Sequence, residues 1–320
     1  MWGSTYLAIR VGVETIPPLG MAGVRNLVAG VLLYSWSRMR GAPRPTRPQW
    51  TAAALVGALL LLVGNGALTW AEQRVPSGIA ALLVATEPLW VVVLAWRFSA
   101  GARPTALTAF GLALGLLGVA LLVGPELFRA HGTRGSVDLA GAGMVLVGAA
   151  SWAGGSLWSS RPGNRSRLPA STTLATGMQM VSGGAMLTFA SLLAGEMGSF
   201  SGATVSGRSV AALGYLILFG SLVGFNAYAW LLAVEPPARV ATYAFVNPVI
   251  AVLLGWGLAG ELLSARVLVA AAAIVGAVVL LTMRAPAASR LPGRDMEVAK
   301  SASPARASDR CSPASESPAA

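Results

Sequence analysis

The chain has 320 residues, of which 55% are hydrophobic and only 11% are charged, and its formal net charge is +11. A soluble domain carries about 25% charged residues, so this composition, with its mean hydropathy of +0.67, excludes an ordinary soluble fold and predicts a polytopic membrane protein. The chain has a single cysteine, Cys311, which excludes an internal disulfide. Since it also has a single histidine, His131, a metal site built on these residue types is not expected.

Apolar segments recur along the chain with short interruptions. We read spans at residues 2–16, 19–37, 51–71, 77–97, 105–123, 138–158, 171–194, 209–232, 238–258 and 264–282. All but the first have roughly the 20 residues that a helix needs to cross the hydrocarbon core of a bilayer. The sequence therefore predicts an all-α membrane protein with ten transmembrane helices. Residues 284–320, rich in Ala, Ser, Pro and charge, are predicted to form a disordered cytoplasmic tail.

The distribution of Lys and Arg predicts the orientation of these helices. If the N-terminus is inside, the inside loops and the tail hold 16 of the 23 basic residues and the outside loops hold five, while Arg10 and Arg25 fall within spans. Cytoplasmic loops carry the excess of positive charge, so we expect both termini in the cytoplasm. The positive charge is a topology signal, and no nucleic-acid partner is expected.

Two halves of the chain repeat each other. The stretch LVGNGALTW at 62–70 recurs as LVGFNAYAW at 222–230, and the same offset of 160 carries Pro88 onto Pro248. The second span repeats in the seventh at offset 154, where Gly23 and Gly30 match Gly177 and Gly184. Because five spans is an odd number, the second half enters the membrane from the opposite side. We predict two inverted five-helix repeats, residues 1–123 and 138–283, an architecture typical of secondary transporters.

The first span is shorter than its counterpart. Trp2 pairs with Trp152 at offset 150, yet about a dozen apolar residues precede Trp152 and only Met1 precedes Trp2. This comparison predicts a start upstream of Met1, and the alternative is a short helix that thins the bilayer.

Glu87 is the most informative polar residue, because it lies near the centre of the fourth span. A carboxyl there costs roughly 3 kcal/mol on insertion scales, so such residues usually face a cavity or a partner. Pro88 follows it, and the repeat places Asn247 before Pro248. We expect two proline-kinked helices that meet near the pseudo-two-fold axis. Glu87 is a candidate proton or substrate site, and the alternative is a structural kink with a neutral Glu bonded to a neighbouring helix.

Further polar and aromatic side chains fall within spans. Arg25 lies six residues into the second span, and its repeat partner is Gln179. The Arg25 side chain could hold a substrate carboxylate or phosphate, pair with Glu87, or extend to the outer interface. Asn65 and Asn226 suit substrate hydrogen bonding or helix packing equally. The remaining candidates for lining a cavity are Trp90, Tyr243, Ser4 and Thr5.

Motifs of soluble catalysis are absent from the sequence. It contains no GxxxxGK[ST], GxSxG or HExxH pattern, so ATP hydrolysis by a P-loop, a nucleophile elbow and a zinc protease site are excluded. We expect no enzyme and no cofactor.

The stretches WGSTYLAIRVGVETIPPLGMAGVRNLVAGVLL (2–33), VPSGIAALLVATEPLWV (75–91), SWAGGSLWS (151–159) and FVNPVIAVLLGWGLAGELL (245–263) resemble an EamA-type member of the drug/metabolite transporter superfamily. The resemblance covers residues 1–283. It implies ten helices in two EamA repeats, a multi-pass location in the plasma membrane, and efflux of small metabolites such as amino acids, driven by protons, another ion or exchange. An acidic residue at position 87 departs from what the family leads us to expect.

The main prediction is therefore a secondary transporter for a small solute, with a cavity lined by spans 1–4 and 6–9. The alternatives are a membrane enzyme or scaffold without transport, and a channel. Substrate, direction and coupling ion do not follow from the sequence, and two fused halves allow a monomer.

Overall fold

The computed structural model describes most of the chain, namely residues 1–98, 106–123, 138–196, 198, 205–241, 243, 246–261 and 264–283. These residues form helices and no strands, as predicted, and they belong to one unit, Met1–Ala285. The predicted tail, 284–320, lies outside the described residues.

Helices occupy each predicted span. In the first half they are α1 (Trp2–Gly12), α2 (Pro18–Met39), α3 (Arg47–Ala71), α4 (Ser77–Phe98) and α5 (Ala106–Val123). In the second half they are α6 (Leu139–Ser160), α7 (Thr172–Leu193), α8 (Gly207–Val234), α9 (Val246–Ala259) and α10 (Ala265–Met283). Single helical turns lie at Pro162–Arg165 and Pro237–Val240.

Local sequence signals explain several helix starts. Proline is the first residue of α2, where its missing N–H would have had no partner in any case. Thr46 and Gln49 form a capping box at α3, and Asp138 accepts a hydrogen bond of 2.6 Å from Gly141 N at the start of α6. Serines cap α7 and α8 in the same way.

Two carboxylates cap helices from a distance. Glu196, which follows α7, accepts from the backbone N–H groups of Leu19 (3.3 Å) and Gly20 (3.1 Å) at the start of α2. Glu261, which follows α9, accepts from Ser77 N (2.7 Å), Ser77 Oγ (2.7 Å) and Gly78 N (3.0 Å) at the start of α4. A negative charge at a helix N-terminus satisfies free N–H groups and complements the helix dipole. Each glutamate therefore ties one half of the chain to the other.

The predicted continuous helix α4 is interrupted. Turn residues 85–86 separate its helical segments Ser77–Val84 and Glu87–Phe98. Pro88 consequently lies in a first turn, where no intrahelical N–H bond is lost. The expectation of a kink at Pro88 is therefore corrected to a helix start, and the expected kink at Pro248 of α9 stays a prediction.

The helices α3 and α8 contain π-helical segments, at Ala58–Asn65 and Leu216–Phe225. They occupy equivalent places in the two halves, and π segments frequently occur at functional sites. Nothing in the residue pattern predicted them.

The surface of the helices is apolar. Among the described residues, α3, α4, α6 and α8 are long and apolar enough to cross a membrane, and α5, α9 and α10 contain shorter apolar stretches. Large apolar side chains face outward on many of these helices, with Phe219, Leu253 and Trp256 each exposed. A membrane protein follows from both observations.

Equivalent helices of the two halves pack against each other in antiparallel fashion. A Cβ at Gly30 of α2 would lie 2.6 Å from Val181 N of α7, and one at Gly184 of α7 would lie 2.7 Å from Leu27 N. As the residue number rises along α2, the number of the residue that it contacts on α7 falls, so the two helices run antiparallel. The pair α5/α10 shows the same pattern, with Gly115 against Ala277 and Gly118 against Ile274, and α4 contacts α9 at Gly78 against Val252. Small residues thus let whole backbones approach.

We expect Gly30→Ala to destabilise the protein by about 1–3 kcal/mol, because the added methyl overpacks a backbone contact. Gly143 of α6 has open space beside its Cα, so Gly143→Ala should be neutral or stabilise by up to about 1 kcal/mol through helix propensity. Thermal unfolding of the purified protein in detergent measures both. Equal effects of the two substitutions would contradict the close α2–α7 contact.

Candidate functional site

A small cavity, which we call the chamber, lies among the helices of both halves. Its volume is about 70 Å³, which is room for a few water molecules. Its walls come from α1, α2, α3, α4, α6 and α8, together with Tyr243. The α7 helix, which was expected to contribute, does not line it.

Glu87 supplies the carboxyl of the chamber. It is the first residue of the second helical segment of α4 and is 1% exposed. Its Oε2 accepts a hydrogen bond from the hydroxyl of Tyr243. The N-terminal position of Glu87 favours a negative charge there, whereas its burial opposes one.

Arg25 supplies the cation of the chamber. It is 6% exposed, and its Nε donates to Ser221 Oγ at 2.8 Å. Within the described part of the chain it makes no ion pair, with Glu87 or with any other carboxylate. Gly220 leaves space for the guanidinium, because a Cβ there would lie 2.8 Å from Nη2. A buried guanidinium with several unused donors suits a planar anionic group such as a carboxylate or phosphate.

Aromatic side chains close one side of the chamber. We call Trp2, Trp152, Phe225, Tyr228 and Tyr243 the aromatic wall. The Trp2 ring lies 5.7 Å from Trp152, 5.2 Å from Tyr228 and 5.0 Å from Tyr243, in edge-on or tilted contacts.

Hydrogen bonds hold this wall in place. Trp2 Nε1 donates to Gly220 O (3.0 Å), and Trp152 Nε1 donates to the Tyr228 hydroxyl (2.9 Å). The same hydroxyl lies 2.6 Å from Ser156 Oγ. The wall is therefore ordered by directional contacts as well as by packing.

A second, larger cavity lies beyond the wall, and we call it the vestibule. Its volume is about 470 Å³, and it is lined by α3, α6, α7, α8 and the segment that joins α6 to α7. Phe225 lines both cavities, and Tyr228 lines the vestibule. The aromatic wall thus stands between a small chamber and a wider opening at the α6–α7 end of the protein.

The structure distributes the predicted site residues over several places. Thr5, Arg25, Asn65, Glu87 and Tyr243 line the chamber. Gln179 lines the vestibule, and Asn226 lines a third cavity with Trp230.

The other predicted residues lie outside these cavities. Ser4 bonds the hydroxyl of Tyr215 (2.6 Å), and the Trp90 Nε1 is buried without a hydrogen-bond partner among the described residues. Asn247 is 8% exposed and packs its backbone against Gly3. Arg10, which falls within the first predicted span, donates to the carbonyls of Glu72 (2.9 Å) and Val75 (3.0 Å).

The sequence comparison missed Ser221, Phe225 and Tyr228. At the repeat offset of 160 they correspond to Leu61, Asn65 and Leu68, and all three of these line the chamber. The repeat was sought through identical residues, so equivalent positions with unlike side chains went unnoticed. A comparison of equivalent positions, whatever residues occupy them, would have pointed to these three side chains.

We expect Tyr228→Phe to lower stability by about 1–3 kcal/mol, because it leaves the buried Trp152 Nε1 without its acceptor. Tyr34→Phe is the matched control, since the Tyr34 hydroxyl makes no hydrogen bond with the described residues and its ring packs on Trp50. Thermal unfolding of both variants in detergent provides the comparison. Unchanged stability of Tyr228→Phe would show that the hydrogen bond is not formed.

Comparison with known proteins agrees with this architecture. The family model described as "EamA-like transporter family" matches residues 1–124 and 139–283. A solved crystal structure with 19% sequence identity has a TM-score of 0.62 and covers 88% of this chain and 93% of that chain, which shows the shared fold.

Curated relatives are named as transporters. The "Uncharacterized inner membrane transporter YedA" of Escherichia coli (strain K12) is 45% identical over 284 residues, 88% of this chain and 87% of that protein. A "Probable amino-acid metabolite efflux pump" of Salmonella typhimurium is 27% identical over 281 residues, 85% of this chain and 89% of that protein. Because the family model matches both halves of the chain and the Escherichia coli relative is 45% identical to it, the chain belongs to the EamA-like transporter family of the drug/metabolite transporter superfamily.

Proposed function

We propose that the protein is a secondary transporter that moves small metabolites across the plasma membrane by alternating access. One observation carries the proposal: a chamber with a buried cation and a buried carboxyl lies between the two halves, and an aromatic wall separates it from a wider vestibule. A transporter needs a polar site that is reached from one face at a time.

The inverted repeat is part of the proposal. Its support is the antiparallel packing of α2 on α7 and of α5 on α10. In two halves of opposite orientation, equivalent helices run in opposite directions. Two similar halves can exchange conformations, and this exchange would open the chamber alternately to the two faces.

The proposed orientation has both termini in the cytoplasm, which places the vestibule on the cytoplasmic side. Its support is the excess of Arg and Lys in the loops after α2 and α6 and in the tail. The inner membrane location in the name of the Escherichia coli relative fits this reading.

A small zwitterion such as an amino acid is the proposed substrate, and efflux is the proposed direction. The Arg25 guanidinium would bind a carboxylate, Glu87 would bind an ammonium group, and the aromatic rings would cover an apolar side chain. The chamber is too small for an amino acid in this conformation, so the wall has to move when substrate enters. The name of the Salmonella relative is consistent with this substrate class.

Reporter fusions test the orientation. We expect fusions at residues 38–48 and at residues 161–167 to report the same, cytoplasmic face, because an odd number of spans reverses the second half. Opposite faces for these two loops would contradict the inverted repeat.

Transport by Arg25 variants tests the chamber. In proteoliposomes supplied with a panel of amino acids, Arg25→Gln should lower the initial rate for the best substrate at least about tenfold, because a charge-assisted hydrogen bond contributes about 1.5–3 kcal/mol. Arg208→Gln, at an exposed arginine near the start of α8, should leave the rate unchanged. An Arg25→Gln rate equal to that of the parent chain would exclude the proposed anion site.

The coupling ion is tested at Glu87. If protons drive transport through this carboxyl, a pH gradient should accelerate uptake by the parent chain and should not accelerate uptake by Glu87→Gln. Continued response of Glu87→Gln to the gradient would exclude Glu87 as the coupling residue. Single-channel currents in the same membranes would indicate a channel instead.

A further inference from the structure

A second buried carboxyl lies at the opposite end of the molecule from the vestibule. Glu72 directly follows α3 and is 0% exposed. Both of its carboxyl oxygens are buried and have no hydrogen-bond partner among the described residues. An ionised carboxylate without hydrogen-bond partners is costly to bury, so burial favours the neutral form of this group in the conformation described here.

Polar contacts close the protein around Glu72. Arg10 Nη1 of α1 donates to the backbone carbonyls of Glu72 and Val75. Glu261 holds the start of α4 through Ser77 and Gly78. We call this set of contacts, between the end of α1, the α3–α4 connection and the end of α9, the outer latch.

Titratable and charged groups from several elements lie near the α3–α4 connection. Arg10 and Tyr6 come from α1 and Glu261 from the end of α9, and all three interact electrostatically with the Glu72 carboxyl. On the same connection Arg74 stacks over Trp70 at 4.3 Å. Asp138 at the start of α6 is bound to Gly141 N of its own helix.

Burial raises the pKa of the Glu72 carboxyl well above its ordinary range, Arg10 lowers it and Glu261 raises it further. The net direction is upward, because desolvation is the largest effect. This direction agrees with the missing hydrogen bonds and the lack of exposure.

We propose that Glu72 is a proton-binding site of the outer latch, and that its protonation stabilises the conformation in which the outer face of the transporter is closed. This inference rests on the proposed function, since it supposes that the outer face also opens. In the open conformation water would reach the carboxyl and its proton would be released. The ligand of the site is a proton taken from the outer side, and the site is separate from Glu87 in the chamber.

Linkage fixes the sign of the effect. The closed conformation has the higher pKa and therefore binds more protons than the open one. Closure is stabilised at low pH, and this stabilisation is lost as the pH rises through the closed-state pKa of Glu72. An acidic exterior would hold the outer face closed, and an alkaline exterior would let it open.

The experiment measures the width of the outer latch without substrate. Spin labels are placed at Gln73→Cys and Ala259→Cys, two exposed positions on either side of the latch, in the full chain with Cys311→Ser, reconstituted in nanodiscs. Double electron–electron resonance then gives the distance distribution across a pH series. We expect a short distance at low pH and a growing longer-distance population at high pH, with a midpoint above the ordinary glutamate value of about 4.3.

Two variants with the same labels complete the test. Glu72→Gln, which mimics the neutral carboxyl, should stay at the short distance at every pH. Glu14→Gln, at an exposed glutamate after α1, should follow the parent chain. A parent distribution that does not change with pH would overturn the proposal, and so would a Glu72→Gln distribution that still responds to pH.

Infrared spectroscopy of the unlabelled chain gives an independent measurement. A protonated-carboxyl band should be present near neutral pH, be weaker in Glu72→Gln, where the buried Glu87 carboxyl still contributes, and keep its full intensity in Glu14→Gln. Persistence of the full band in Glu72→Gln would overturn the assignment. Neither measurement uses a substrate, so failure of the metabolite panel and failure of this proposal are separate results.

Discussion

The close contact of α2 with α7 is the constraint on which the rest of the structure depends. Glycines on both helices bring backbone within van der Waals distance of backbone, at Gly30 against Val181 and at Gly177 against Tyr34. In a bilayer, lipid is as apolar as a leucine surface, so close packing of small residues contributes much of the association between helices. This contact holds one half of the chain against the other, and the chamber is formed between helices that it supports.

The polar interior follows from that arrangement. Arg25 lies on α2 and reaches Ser221 of the π segment in α8, and Glu87 lies at the break of α4 and accepts from Tyr243 before α9. Arg25 and Glu87 of the first half therefore each have a hydrogen-bond partner in the second half. The two glutamates that cap α2 and α4 also come from the second half. Relative movement of the halves would change the surroundings of every one of these groups, as the proposed alternating access requires.

Much of the fold could be predicted because the bilayer restricts the backbone structures that can cross it. Apolar segments of about 20 residues predict helices, since a buried backbone in lipid must satisfy its own hydrogen bonds. Gly23, Gly30, Gly177 and Gly184 were identified through the repeat, and the structure shows that they are the contact points of α2 and α7. The break in α4 was expected as a kink, because a proline in the sequence does not reveal whether a helix bends there or starts there. The π segments went unpredicted because no residue type specifies them.

By itself, the sequence determined the membrane environment and the helical class, because these depend on composition and on order along the chain. It also contains the repeat, and it made Glu87 and Arg25 conspicuous because charged residues are rare within its apolar segments. Only the tertiary structure decided which polar residues share a chamber. Arg25, Glu87 and Tyr243 come together, whereas Gln179 and Asn226 line other cavities. It also decided that the Glu72 carboxyl, directly after an apolar helix, is buried and has no hydrogen-bond partner in the part of the chain that the structure describes. Burial and hydrogen bonding at these positions are set by residues distant in sequence, and the direction in which each side chain points depends on how the helices rotate and cross when they pack.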